Sequence, residues 1–222
     1  MSDAVGRAAL AALPDDPQRA PVAAILDAQR IAAAVAQDFG IKGLMAFGPQ
    51  LGHFPLPPEG DVEDRWNEAA KRIDVIIGWT RHDAGPFLDL SVRLAALVNR
   101  RWIGTLVRKP LTARVTEKVF GRPARRFARR HRNAGGRAGV YRFEWAPPHS
   151  PLGACHCIEL PFLLGAPRAW DAAPMLDGAP QATLATTGRG LRARWTRFAH
   201  NGFDADPPPL PRSGRRAVHR LP

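Results

Sequence analysis

Leu152-Gly-Ala-Cys-His156-Cys-Ile-Glu-Leu-Pro-Phe-Leu-Leu-Gly165 is the stretch from which the rest of the chain is read. A β-like run, Val140-Tyr-Arg-Phe-Glu-Trp145, precedes it, joined by the turn-rich bridge Ala146-Pro-Pro-His-Ser-Pro151. His156 therefore falls on a tight loop just past a strand end, and the small Gly153 and Ala154 leave room before it. An imidazole in such a place has a fixed backbone and a free ring face, as proton transfer requires. A second apolar run, Ile73-Asp-Val-Ile-Ile-Gly78, ends in glycine as a buried parallel strand does. It opens into Trp79-Thr-Arg-His82-Asp83-Ala-Gly-Pro-Phe87. In α/β sheets, working groups sit on loops beyond the C-terminal ends of strands. The loop of His156 and the loop at 79–87 are thus the places where working groups of an α/β protein are expected.

The histidine loop closely resembles that of the type-B carboxylesterases, in which the pattern is Gly-Ala-x-His-x-x-Glu-Leu-Pro-Phe. Gly153, Ala154, His156, Glu159, Leu160, Pro161 and Phe162 match it. The resemblance implies that His156 is the general base of a Ser–Asp/Glu–His triad. The 78–87 loop resembles the family's Gly-x-Asn/Thr-Lys/Arg-Asp-Glu-Gly…Phe through Gly78, Thr80, Arg81 and Phe87, which sets Asp83 at the triad acid. Two departures stand out. Aspartate replaces glutamate, shortening the reach by one carbon, and Ala84 replaces a glycine. Aspartate still serves a group whose task is to orient and stabilise a protonated imidazole. Weaker likenesses run through Met45-Ala-Phe-Gly-Pro49, the arginine-rich stretch at 122–132, and Trp195, Phe198, Ala199 and Gly202. Gln50-Leu-Gly-His53 stands where the family has Val-Val-Asp-Gly.

The expected elements follow in chain order. Short helical character at Ala8–Leu13 is stopped by Pro14-Asp-Asp-Pro17, and Val22–Phe39 keeps a helical period on an alanine background, with Gly40 as its expected cap. Val62–Arg72 reads as an amphipathic helix. Leu88–Arg108 carries an apolar stripe, and a further helical segment runs from Pro110 to Phe120. Arg122–Arg132 holds six arginines in eleven residues. Pro123 suits a first helical position, while Ala124, Phe127 and Ala128 make one apolar stripe, so the arginines read as a solvated helix face. Ala166–Gly190 reads as a loose Pro/Gly/Ala stretch before a last helix, Leu191–His200. The resemblance covers residues 8 to 203. The expected organisation is residues 1–205 as the C-terminal portion of an α/β-hydrolase domain, with a partial sheet flanked by helices, and 206–222 as a Pro/Arg-rich tail.

Composition bounds the rest. Hydrophobic content of 45% supports a real core. The formal net charge of +12 raises nucleic acid as a partner, but the excess is nearly all arginine and no recognised nucleic-acid module accompanies it, which disfavours that partner. Cys155 and Cys157, two positions apart, suit neither a relaxed disulfide nor a zinc cluster, so free thiols are expected and no metal or cofactor. No run of eighteen apolar residues crosses a membrane, and Met1-Ser-Asp-Ala-Val-Gly-Arg7 is no signal peptide, so the expected compartment is cytoplasmic.

No Gly-x-Ser-x-Gly occurs in the 222 residues, and the serines are Ser2, Ser91, Ser150 and Ser213. None sits at a strand-to-helix elbow with small neighbours, and the family's early Gly-Gly oxyanion stretch has no counterpart. Triad order in α/β-hydrolases is nucleophile, acid, histidine, and Asp83 precedes His156. The resemblance thus implies a carboxylic-ester hydrolase whose N-terminal half, with nucleophile and oxyanion loop, is absent. Such a chain is inactive alone and takes a carboxylic ester only when complemented, with the missing half as a possible separate partner chain. Two alternatives remain: a non-catalytic remnant or interaction domain, and a basic nucleic-acid-binding protein.

Overall fold

The computed structural model describes residues 1–44, 46–90, 104–165, 167–203 and 218–221. They form two compact units, Met1–Arg65 and Trp66–Pro222. In the first unit, α1 (Ser2–Ala12) packs on α2 (Val22–Ala36) through Val5, Ala9, Ala32 and Ala36. Alanine lets the helices approach closely at no side-chain entropy cost. α2 ends at Ala36, not at Phe39 with Gly40 as its cap, and the chain continues as a tighter 3-10 coil over Gln37–Leu44. Gly43 presses on the helix end there: a Cβ on it would lie 1.8 Å from the Ala36 carbonyl oxygen.

After α3 (Val62–Ala70), the second unit is built on a three-stranded sheet in the order β1 (Val75–Thr80), β2 (Ala138–Phe143), β3 (Val218–Leu221). β1 and β2 are parallel, in register from Val75 opposite Ala138 to Thr80 opposite Phe143, and β3 runs antiparallel to β2. A parallel pair needs a long crossover. It includes α4 (Gly85–Leu90), α5 (Gly104–Thr116), a π-turn over Glu117–Gly121 and α6 (Arg122–Asn133). This is an α/β arrangement.

Strand alternation sorts the side chains to two faces. On one face Ile77, Trp79 and Val140 pack against Ala124 and Ala128 of α6 and Phe120. On the other, Tyr141 and Phe143 join Ala154, Cys155, Ile158, Phe162, Leu176 and Leu191. These last come from the histidine loop, from α7 (Leu160–Leu164), and from α8 (Gln181–Asn201) with its preceding turns. Gly78 belongs to the second face: a Cβ there would lie 2.5 Å from the Tyr141 ring, so the strand needs glycine for that ring to cross it.

Asp74 anchors the entry to β1. It pairs with Arg137 at 2.7 and 2.8 Å and accepts the Phe203 backbone N–H at 2.9 Å, which ties β1 to the start of β2 and to the end of α8. His131, buried in α6, bonds the Ile73 carbonyl at 2.8 Å.

Several elements differ from their expected bounds. β1 starts two residues later than the apolar run and takes in Trp79 and Thr80, because β2 continues to supply partners as far as Phe143. α8 begins at Gln181, inside the stretch expected to be loose. β3 lies within residues 206–222, where only a tail was expected. The expected Leu88–Arg108 helix falls mostly outside the described residues, α4 and α5 being its described ends.

Candidate active site

The two strands end side by side, so the loops that leave them are neighbours. Past the β1 end, the Arg81 N–H donates to the Phe143 carbonyl at 2.9 Å, and the His82 N–H donates to the Ala154 carbonyl at 2.8 Å. His82 and Cys155 make an isolated parallel bridge. The acid-bearing and histidine-bearing loops are therefore stitched together beyond the sheet proper.

Asp83 turns back on its own strand. Its Oδ2 accepts the Thr80 N–H at 2.9 Å, and its backbone N–H reaches the Thr80 carbonyl at 3.4 Å. The next residue is fixed as well, since the Ala84 N–H donates to Thr116 Oγ1 at 3.0 Å. Thr116 is buried at the end of α5. Held this way, Asp83 points its other oxygen, Oδ1, at His156 Nδ1, 2.5 Å away. The aspartate side chain is 6% exposed and the histidine 44%. One ring nitrogen is thus engaged by a shielded carboxylate, while the ring keeps an open edge. The one-carbon-shorter acid still spans the gap.

Aromatic rings flank the imidazole. Phe87 meets it edge-on with centroids 5.1 Å apart, and Phe120 lies tilted at 6.0 Å. Behind the loop, burial, with Asp83 nearby, holds the Glu159 carboxyl above its ordinary range. One Glu159 oxygen, Oε2, is buried with no hydrogen-bond partner among the described residues. Burial, with Glu159 and Asp83 adding, pushes the Tyr141 hydroxyl up to about 12. Cys155 is buried and Cys157 half-buried, both as free thiols raised by burial, so neither is a poised nucleophile. No cluster of three or more metal-ligating side chains occurs among the described residues.

No protein-family model matches the chain. Over 213 residues, 94% of its length, it is 34% identical to the "Probable N-octanoylanthranilate hydrolase AqdA2" of Rhodococcus erythropolis. The chain is similar to a hydrolase. It spans about half the length of this curated relative, 46%. A solved structure of a PNB esterase aligns with 88% of the chain and 48% of its own, at 22% identity and a TM-score of 0.45.

Both candidate residues read from the sequence lie in the region of likeness to the hydrolase, and the structure brings them together. Three supports were missed in the sequence. Thr116 and Phe120 are distant in sequence and come from segments read only as helical. His82, between the matched Arg81 and the candidate acid Asp83, has no counterpart in the motif that would give it a role. Its one visible signal was a histidine beside the candidate acid. For Thr116 and Phe120 no local signal existed.

The arginine-rich helix α6 turns out to use much of its charge within the chain. Arg125 lies over the Trp79 ring at 5.1 Å and pairs with Glu117, and Arg130 lies over the Trp66 ring at 4.5 Å. Arg132 donates to the Ala138 carbonyl at 3.0 Å, and Arg122 stands 3.9 Å from Glu117. No helix among the described residues is long and apolar enough to cross a membrane.

Proposed function

We propose that this chain is the acid- and base-bearing part of a type-B carboxylesterase-like hydrolase with an α/β-hydrolase fold. Its Asp83 and His156 serve as the acid and general base of a Ser–Asp–His triad. The observation that carries this reading is the 2.5 Å contact between buried Asp83 and half-exposed His156 on adjoining loops beyond parallel strands. The similarity to a hydrolase over nearly the whole chain supports it.

In the proposed mechanism, Asp83 holds the proton on His156 Nδ1, which leaves Nε2 unprotonated at the open edge of the ring. Nε2 takes the proton of an attacking serine hydroxyl as its oxygen bonds to the acyl carbon. The imidazolium so formed is stabilised by Asp83 and returns its proton to the leaving group as the acyl–heteroatom bond breaks. Water then attacks the acyl-enzyme with His156 as base. The serine is not supplied by this chain, since no Gly-x-Ser-x-Gly is present in it. Carboxylic esters are the substrates the resemblance implies. The relative's name adds an N-acyl compound, N-octanoylanthranilate, to the substrates worth assaying.

The test is turnover of p-nitrophenyl esters and N-acyl anthranilates by a nucleophile-bearing form that includes this chain. His156→Ala is expected to abolish turnover while circular dichroism stays unchanged. Asp83→Asn is expected to cost about 10⁴-fold in kcat, because the wrong tautomer is then favoured. Near-normal turnover by His156→Ala would sink the assignment.

A further inference from the structure

We infer that His82 is a positioning residue whose neutral ring holds the His156 loop against the acid loop, making the Asp83–His156 contact dependent on the protonation state of His82. The inference rests on the proposed role of His156 and extends it to a residue outside the triad.

The geometry is specific. The Ala154 N–H donates to His82 Nδ1 at 3.0 Å, and the His82 N–H donates to the Ala154 carbonyl at 2.8 Å. One residue of the acid loop thus satisfies both backbone groups of a residue two positions before His156. In a continuing parallel strand a backbone carbonyl would accept the Ala154 N–H, and here the imidazole stands in for it. Ala154 is fully buried, so no water replaces that acceptor at low cost.

Gly153 is shaped to the same ring. It sits at φ +59°, and a Cβ on it would lie 2.4 Å from His82 Nδ1. The loop therefore approaches the imidazole as closely as a residue without a side chain allows.

An Nδ1 that accepts a hydrogen bond is unprotonated, so the ring is neutral with its proton on Nε2. A second proton would set two N–H donors against each other and release Ala154. The surroundings oppose that proton. Burial acts first, followed by Arg81 on the same loop, Lys109 on α5 and Arg142 on β2, and together they hold His82 below 6.5. Glu144 pulls the other way. It is also engaged by Arg142 at 2.8 Å. Asp83, next in the chain, directs its carboxylate to Thr80 and His156.

The test uses the full chain, and its readout for His82 needs no turnover. Histidine ring ¹H–¹⁵N spectra are recorded through a pH titration, with His82 assigned by its loss in His82→Asn. The probe is the low-field proton shared by His156 Nδ1 and Asp83. It is expected to be present at neutral pH in the wild type and to disappear, together with a shift of the Ala154 amide, as His82 titrates below pH 6.5. His82→Asn supplies a non-titrating acceptor near the Nδ1 position and is expected to keep the proton at pH values where the wild type has lost it. His82→Ala is expected to lose it throughout. Persistence of the proton in His82→Ala, or its indifference to the His82 titration in the wild type, overturns the inference and leaves the triad reading standing. If the ¹⁵N shift of His156 Nδ1 is that of an unprotonated nitrogen at neutral pH in the wild type, both fall. If the proton follows His82 while a nucleophile-bearing His156→Ala form retains turnover, the hydrolase reading alone fails.

Discussion

Asp83 and His156 differ chiefly in how much water each can reach, and that difference sets their proposed roles. A carboxylate shielded on a loop and engaged by a backbone N–H is an oriented acceptor, while a half-exposed imidazole can exchange a proton with a reactant. Behind them burial disfavours charge, raising both the Glu159 carboxyl and the Tyr141 hydroxyl. Tyr141 is the one tyrosine in the chain, so its ionisation is readable alone by near-UV absorbance. With its hydroxyl pushed up to about 12, the folded protein holds the phenolic proton while the unfolded chain releases it from about pH 10. Between those values the unfolded state binds fewer protons, so stability falls as pH rises from 10 to 12, by up to about 1.4 kcal/mol per pH unit for this one group. Tyr141→Phe is expected to flatten that decline in urea denaturation measured across the range. A tyrosine that titrates at its ordinary value in the folded chain would contradict the burial described.

At the scale of elements, two fixed points hold the acid loop, and each has a substitution that isolates it. Gly78→Ala drives a methyl into the Tyr141 ring and is expected to cost about 1–3 kcal/mol through overpacking. Replacing Tyr141 with leucine in the same chain should recover part of that cost, a coupling that a double-mutant cycle in urea denaturation measures directly. Thr116→Val removes the acceptor of the Ala84 N–H at nearly constant volume, leaves a buried donor unpaired and is expected to cost about 1–3 kcal/mol. The same elements show what the sequence could and could not announce. β1 and β2 were legible because their apolar runs are short and bounded by turn residues. Val218-His-Arg-Leu221 carries too few apolar residues to register as a strand, and it is one because β2 offers it an edge. The first half of α8 was hidden by its threonines and glycines, which are weak helix formers. Its helicity comes from packing. Gly188 lets the helix approach α7 so closely that a Cβ would stand 3.1 Å from the Phe162 carbonyl oxygen, which Arg192 also reaches at 2.6 Å. At the candidate site, His156 and Asp83 could be read from short local patterns. His82, Thr116 and Phe120 could not, since their contacts join residues 72, 32 and 36 positions apart along the chain (156 − 120 for the last).

For the molecule as a whole, the proposed chemistry is incomplete in a definite way. A base and an oriented acid perform acyl transfer only with a nucleophile and oxyanion donors, because these groups act as a unit. The chain spans 46% of its hydrolase relative and carries no Gly-x-Ser-x-Gly. The purified 222-residue chain is therefore expected to show no ester turnover above the buffer rate. Joining to it, by fusion or co-expression, the half of such a relative that bears Gly-x-Ser-x-Gly is expected to produce turnover that His156→Ala in this chain abolishes. Intact mass of the protein captured from its source cells separates the two routes to completeness. A mass well above 24.2 kDa, with upstream peptides that include the serine motif, means the partner is covalent. A mass of 24.2 kDa directs the search to a partner chain, found by co-purification. The net charge of +12 gives the competing reading its own trial on the same material. A nucleic-acid binder should elute from DNA with a steep dependence on salt between about 50 and 200 mM. With four arginines of α6 already engaged within the chain, weak retention lost at the bottom of that range is the expected result. Tight, salt-steep retention together with no gain of turnover on complementation would replace the hydrolase reading with the nucleic-acid one.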